Sequence, residues 1–173
     1  LSDIRRTKTG FVFQQPTMLK NLNILDNIIL PVMRDNRKNV ASISEKARML
    51  MKRVGIAELE KHDITQVSGG QLQRAGICRS LMNDPKIIFG DEPTGALNSK
   101  SAQEIMNIFS EINAEGTTVL LVTHDAKVAA RTERLLFMRD GKIVSEQKLS
   151  KYDGTNIDSR IEKVTMKMIE LGI

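Results

Sequence analysis

The stretch from Lys86 to Thr123 constrains the fold more than any other part of the chain. Lys86-Ile87-Ile88-Phe89-Gly90-Asp91 is a short apolar run, set off by Asp84-Pro85 and ending in a carboxylate. Ser101 to Ala114 then carries Ile105, Ile108, Phe109 and Ile112 at i, i+3, i+4 and i+7, the spacing of one helix face. Gly116 ends that helix, and Thr117 to Thr123 is a second apolar, β-rich run. A strand, a helix and a strand in this order predict a right-handed β-α-β unit with parallel strands. Near-continuous apolar strands predict a sheet covered on both faces. The fold class is therefore α/β, with a mostly parallel sheet and flanking helices.

Flanking segments fit this frame. Gly10-Phe11-Val12-Phe13 reads as a strand leading into Gln14-Gln15-Pro16. The apolar residues 22–33 read as a helix, kinked or ended at Pro31. Ser44 is placed to cap a helix running to Val54, with Ala47, Leu50, Met51 and Val54 on one face and Gly55 as its stop. Arg139-Asp140-Gly141 between Arg134–Met138 and Lys142–Val144 is a hairpin signal. Residues 156–171 predict a terminal helix with Ile157, Ile161, Val164, Met168 and Leu171 on one stripe.

At 173 residues, 40% of them hydrophobic and 27% charged, the chain has the balance of a soluble globular domain. No apolar run approaches the ~20 residues of a membrane helix. The one cysteine, Cys78, excludes an internal disulfide and reads as a small core residue. The net charge of +5 favours anionic partners, yet aromatics are only 3% and no base-stacking motif appears, so nucleic acid is not expected. The opening Leu1-Ser2-Asp3-Ile4-Arg5-Arg6 has no initiator Met and no signal-peptide pattern, and it reads as the interior of a longer protein.

Three segments carry chemistry. Val67-Ser68-Gly69-Gly70-Gln71 precedes a helical stretch from about Gln71 to Met82. Backbone N–H groups at such a helix start favour an anion, and the glycines allow its close approach. The same residues are equally readable as a Ser N-cap after a Gly-Gly turn. Asp91 and Glu92 end a buried strand, where open α/β sheets place ligands. Asp91 is a hard oxygen ligand for Mg²⁺, and Glu92 can orient and polarise an attacking water. Taken alone, the pair is also readable as a solvated acidic turn. His124 ends the next strand, where an imidazole can contact a γ-phosphate, although Thr123 or Asp125 there can simply cap a helix. Gln14 can reach the metal or the water, or be an exposed residue before Pro16.

Taken together, the order and spacing of these segments resemble the ATP-binding subunit of ABC transporters. Val67-Ser68-Gly69-Gly70-Gln71 resembles the signature motif, with Val where Leu is usual. Ile87 to Glu92 resembles the Walker B strand followed by the catalytic glutamate. Gly95-Ala96-Leu97-Asn98 resembles the D-loop, His124 the switch histidine and Gln14 the Q-loop residue. Phe11–Pro31 and Asp91–Met106 are most similar to the branch of lipoprotein-release, macrolide-export and antimicrobial-peptide-resistance ATPases.

The resemblance implies a P-loop-NTPase-like sheet with an α-helical signature subdomain over 15–82, a catalytic core from 1–14 and 83–150, and a helical tail over 151–173. It implies ATP and Mg²⁺ as cofactors. Glu92, His124 and Gln14 are the implied catalytic residues, and Ser68, Gly69, Gly70 and Gln71 the implied ATP contacts. Asp91 and Gln14 are the implied metal ligands. A second copy in a head-to-tail dimer and transmembrane permease subunits are the implied partners, with the chain on the cytoplasmic face of the membrane. Met18, Met33, Met49 and Met51 would face the permease.

Two departures stand out. No G-x-x-x-x-G-K-[ST] occurs, so the P-loop segment is lacking; Gly141-Lys142 follows a hairpin turn. Asn98 replaces the usual Asp of the D-loop, which removes one charge. Three readings follow: an N-terminally truncated transporter ATPase, a fragment or pseudoenzyme without activity of its own, and an ABC ATPase working outside transport.

Overall fold

The computed structural model describes residues 7–33 and 39–173, so the reading of Leu1–Arg6 lies outside the described residues. The chain divides after Val122 into two units, and each has its own architecture.

In the first unit β1 (Thr9–Phe13), β2 (Ile87–Asp91) and β3 (Thr118–Val122) form a sheet in the order β1-β2-β3, parallel throughout. Phe11 pairs with Phe89 and Phe89 with Leu120; Phe13 pairs with Asp91 and Asp91 with Val122. Paired residues of a parallel sheet share a face. The face carrying Val12 and Ile88 is buried, and α3 (Gly69–Leu81) and α4 (Ser99–Ala114) pack on its outer strands.

The opposite face is exposed among the described residues, although the apolar strands predict a cover there as well. Phe11, Phe13, Leu120 and Val122 are 40%, 44%, 43% and 56% exposed. Phe11 stacks on Phe89 with ring centroids 5.3 Å apart. Topology supplies the reason. Strands added in one direction through right-handed crossovers put every connecting helix on the same side. An apolar run shows that a strand can be covered twice; it does not supply the second cover.

α1 (Ile24–Met33) continues two residues past Pro31, where the sequence predicted a kink or an end. Ile24 and Ile28 are fully buried, and Asn27 ties the helix to the preceding loop. Its Nδ2 donates to the Leu19, Leu22 and Asn23 carbonyls, and its Oδ1 accepts from Leu19 N–H at 2.7 Å. Those contacts outweigh the one backbone hydrogen bond that proline removes.

α2 (Val40–Arg53) begins before Ser44, with Asn39 in the cap position. Ser44 is therefore no cap. It lies buried inside the helix with Ala47 and Met51, at the spacing of one face. Gly55, at φ +71°, does end the helix. Met18 and Met51 are buried and cannot face a partner, whereas Met49 is exposed.

The second unit holds α5 (Ala126–Ala129), the hairpin β4 (Arg134–Arg139) and β5 (Lys142–Lys148), and α6 (Ile157–Leu171). Asp140 and Gly141 both have positive φ, the requirement of a tight two-residue hairpin turn. Val164 of α6 is buried with Ala130, Leu135 and Phe137, and Ile157, Ile161, Met168 and Leu171 pack on them, as the helical stripe predicts. Arg160 is also buried. Its guanidinium donates to the Ala130, Thr132 and Ser150 carbonyls at 2.6, 3.0 and 2.9 Å.

Candidate functional site

Three of the predicted site residues, Gln14, Asp91 and Glu92, lie at two neighbouring strand ends of the first unit. Phe13 and Asp91 are register partners, so Gln14 and Glu92 each follow directly at neighbouring strand ends. Gln14 and Asp91 are exposed and Glu92 is half-buried. Glu92 has φ +46°, in the left-handed region, although it is neither glycine nor asparagine. Its N–H donates to the Val122 carbonyl at 2.9 Å, which fixes that turn to the end of β3. A non-glycine residue held there costs of order 1–3 kcal/mol, and such strain concentrates at functional sites.

Gly95 completes this corner. A β-carbon on Gly95 would lie 2.8 Å from Gln14 Nε2, so only glycine lets the Gln14 amide lie across the turn. In the sequence Gly95 reads only as part of a loop, with no role of its own. The signal was a glycine two residues after Pro93, but its partner is about eighty positions earlier and no local pattern shows it.

The glycine turn is built as a helix start. Ser68 caps α3: its Oγ accepts from Gln71 N–H at 3.3 Å, while Gln71 Oε1 accepts from Ser68 N–H at 2.8 Å. The capping role and the anion role are thus compatible, because the Ser68 O–H remains a donor. The helix begins at Gly69, two residues before the predicted start. Gly70 has a packing reason of its own: a β-carbon there would lie 3.1 Å from Ser101 Oγ. Asn98 caps α4 by accepting from Ser101 N–H at 2.9 Å. An Asp would make the same bond, so the departure at this position alters charge and keeps the cap.

His124 belongs to the second unit and is exposed there. Asp125 accepts from Lys127 N–H at 2.8 Å and so caps α5, as one of the two readings of this segment has it. Two shallow clefts of about 330 Å³ are lined by none of the predicted site residues; one lies beside Lys46 and Asp84, the other beside Arg74 and Glu104. Cys78 is fully buried and desolvation pushes its thiol up to about 12, so it is a core residue and no nucleophile at neutral pH.

The donor set at the strand ends fits Mg²⁺. It offers one carboxylate and one amide oxygen, both hard, and leaves the remaining positions to phosphate and water. No cluster of three or more His, Cys, Asp or Glu side chains exists among the described residues, so no all-protein cage competes with that assignment. The phosphate cradle is a different matter. No G-x-x-x-x-G-K-[ST] occurs in the 173 residues, so the Gly-rich phosphate loop with its lysine is not among them.

A family model described as ABC transporter matches residues 2–95, more than half of the chain. The chain belongs to the ABC transporter family. The macrolide export ATP-binding/permease protein MacB of Chromobacterium violaceum is 46% identical over 146 residues, which is 84% of this chain and 22% of that protein. The uncharacterized ABC transporter ATP-binding protein YknY of Bacillus subtilis is 43% identical over 83% of this chain and 62% of its own length. The solved ABC cassette MJ0796, described as a dimer in a post-hydrolysis state bound to ADP and Pi, superposes with a TM-score of 0.71 at 36% identity. That match covers 87% of this chain and 67% of the cassette. The chain thus spans about a fifth of the MacB-type relatives and about two thirds of the stand-alone cassettes. No helix among the described residues is long and apolar enough to cross a membrane.

Proposed function

We propose that this chain is the greater part of an ATP-hydrolysing cassette that drives export through separate membrane subunits. The observation that carries the reading is the strained corner at Glu92, with Asp91 and Gln14 on adjacent parallel strand ends. Glu92 orients and polarises the attacking water. Asp91 and the Gln14 amide oxygen would hold Mg²⁺, which neutralises phosphate charge when bound. His124 contacts the transferred phosphate.

The turn Ser68-Gly69-Gly70-Gln71 serves the ATP held by a second copy. Its N–H groups gain an anionic partner only when the γ-phosphate is present, so ATP favours the closed dimer by differential binding. The helical part over 15–82 then moves against the core of 1–14 and 83–150, and 151–173 forms the tail. This motion acts on permease subunits at the cytoplasmic face of the membrane. The cargo in this reading is a peptide, antibiotic or lipoprotein; two of the relatives are named as macrolide and syringafactin exporters, which supports export as the direction.

A second reading rests on the missing cradle. Without a P-loop segment the 173 residues can present the Ser68 turn to a complete partner and hydrolyse nothing alone. Light scattering of the intact protein carrying Glu92→Gln separates the two. The first reading expects an ATP-dependent dimer that persists because hydrolysis is blocked. A variant that stays monomeric at saturating MgATP favours the second. Co-purification with ribosomes or DNA and no permease would instead place the chain among ABC ATPases that act outside transport.

A further inference from the structure

Gln73 lies on α3 just past the glycine turn, and neither the capping role nor the anion role uses it. Its side chain is 1% exposed. The Nε2 amide donates to the Phe13 carbonyl at 3.0 Å, at the residue before Gln14. Oε1 is buried with no hydrogen-bond partner among the described residues. Turning the amide over is no remedy, because two carbonyl oxygens would then face each other.

Two further contacts run down the same helix. A β-carbon on Gly76 would lie 3.2 Å from the Pro16 ring, so the helix backbone and that proline are in close contact. Arg79 donates to the Thr17 carbonyl and its Nη1 reaches Met18 Sδ at 3.5 Å. Positions 73, 76 and 79 therefore hold Phe13, Pro16 and Thr17 in order. The segment that starts at Gln14 is thereby fastened to the helix that starts at Ser68.

We propose that Gln73 is a positioning residue that couples these two parts of the site. Its donor holds the root of the Gln14 segment in the arrangement seen here. Its unpaired Oε1 accepts a main-chain N–H of Gln14 or Gln15 when that segment takes up a second position. A buried acceptor left unpaired raises the free energy of the state that contains it, so the pairing biases a two-position element. Movement of the Gln14 segment is then carried to the glycine turn through one side chain. The inference rests on the reading of Gln14 as a site residue.

The test compares intact wild-type protein with Gln73→Met and Gln73→Leu. Both keep the volume and remove donor and acceptor together, which is close to neutral for global stability. The expected result is faster amide exchange at Gln14, Gln15, Thr17 and Met18, on the order of tenfold, with α1 and α4 unchanged. ATP turnover falls by a similar factor while KM for ATP stays within about twofold, the pattern of a group that acts in the reaction and not in ground-state binding. Unchanged exchange over residues 14–18 in a folded variant overturns the proposal, and so does a raised KM with kcat intact. Should Gln73→Leu fail to fold, the unbranched Gln73→Met gives the same readouts. If the wild type hydrolyses no ATP, the proposed function fails, and the exchange result alone still decides the role of Gln73.

Discussion

Replacing Arg160 should unfold the second unit locally while leaving the first intact. The guanidinium donates to three carbonyls, those of Ala130, Thr132 and Ser150, and to Ser150 Oγ at 3.1 Å. It also lies 5.5 Å from the centre of the Tyr152 ring, which Arg131 approaches at 5.2 Å. A hydrogen bond from a charged donor contributes about 1.5–3 kcal/mol, and an acceptor left buried and unpaired costs about 1–3 kcal/mol. These contributions share one side chain and do not add fully, so Arg160→Ala is expected to cost about 3–5 kcal/mol. Arg160→Lys should recover the smaller part, because one ammonium cannot copy the planar fork that meets three carbonyls at once. Amide exchange resolved along the chain is the assay. Exchange in β4, β5 and α6 should rise by roughly a hundredfold to several thousandfold, with β1 to β3 unaffected. A loss below about 1 kcal/mol would mean that water replaces the guanidinium at no cost and that Arg160 does not hold the three carbonyls together.

Three further outcomes follow from the packing. Gly10→Ala should destabilise the first unit by about 1–3 kcal/mol in urea unfolding, because the new methyl group would meet the Ser80 carbonyl at 2.8 Å and Ser80 Cβ at 3.1 Å. Asn98→Ala should cost about 1 kcal/mol through the lost α4 cap and Asn98→Asp almost nothing, again by urea unfolding. Cys78 should react with a thiol reagent only as fast as the protein opens. Burial raises its thiol from 9.0 to about 12, so it stays neutral in the folded state up to that range. The unfolded thiol ionises above about 9, and the linked contribution to stability therefore falls as pH rises through 9 to 12 and is flat below it.

Much of this was legible from periodicity. The β-α-β unit, the Asp140-Gly141 turn and the stripe from Ile157 to Leu171 depend on local spacing, and the structure has all three. The family was legible too, because each motif is short and their order is specific. What sequence could not show depended on partners far along the chain. Ser44 has the chemistry of a cap, and burial against Ala47 and Met51 decided otherwise. The apolar strands did not reveal that both connecting helices lie on one side. Glu92 sits in the left-handed region because its N–H meets the Val122 carbonyl, thirty positions away. Gln73 and Arg160 are polar residues on helices, and their roles appear only once the carbonyls of Phe13 and Ala130 are seen beside them.

The open sheet face links fold to function. Full burial of a Phe, Leu or Val side chain contributes about 1.5–3 kcal/mol, and four of them stand exposed on β1 and β3. Covering this face would therefore stabilise the sheet whose strand ends carry Gln14, Asp91 and Glu92.

The central claim is that Glu92 activates water in a cassette ATPase, and steady-state hydrolysis of MgATP by the intact protein tests it most directly. Measurable turnover is expected in the wild type, with a loss of at least about a hundredfold in kcat for Glu92→Gln, the size of a general-base contribution. Turnover in Glu92→Gln within about twofold of the wild type would contradict it, because the strained corner would then serve something other than the attacking water.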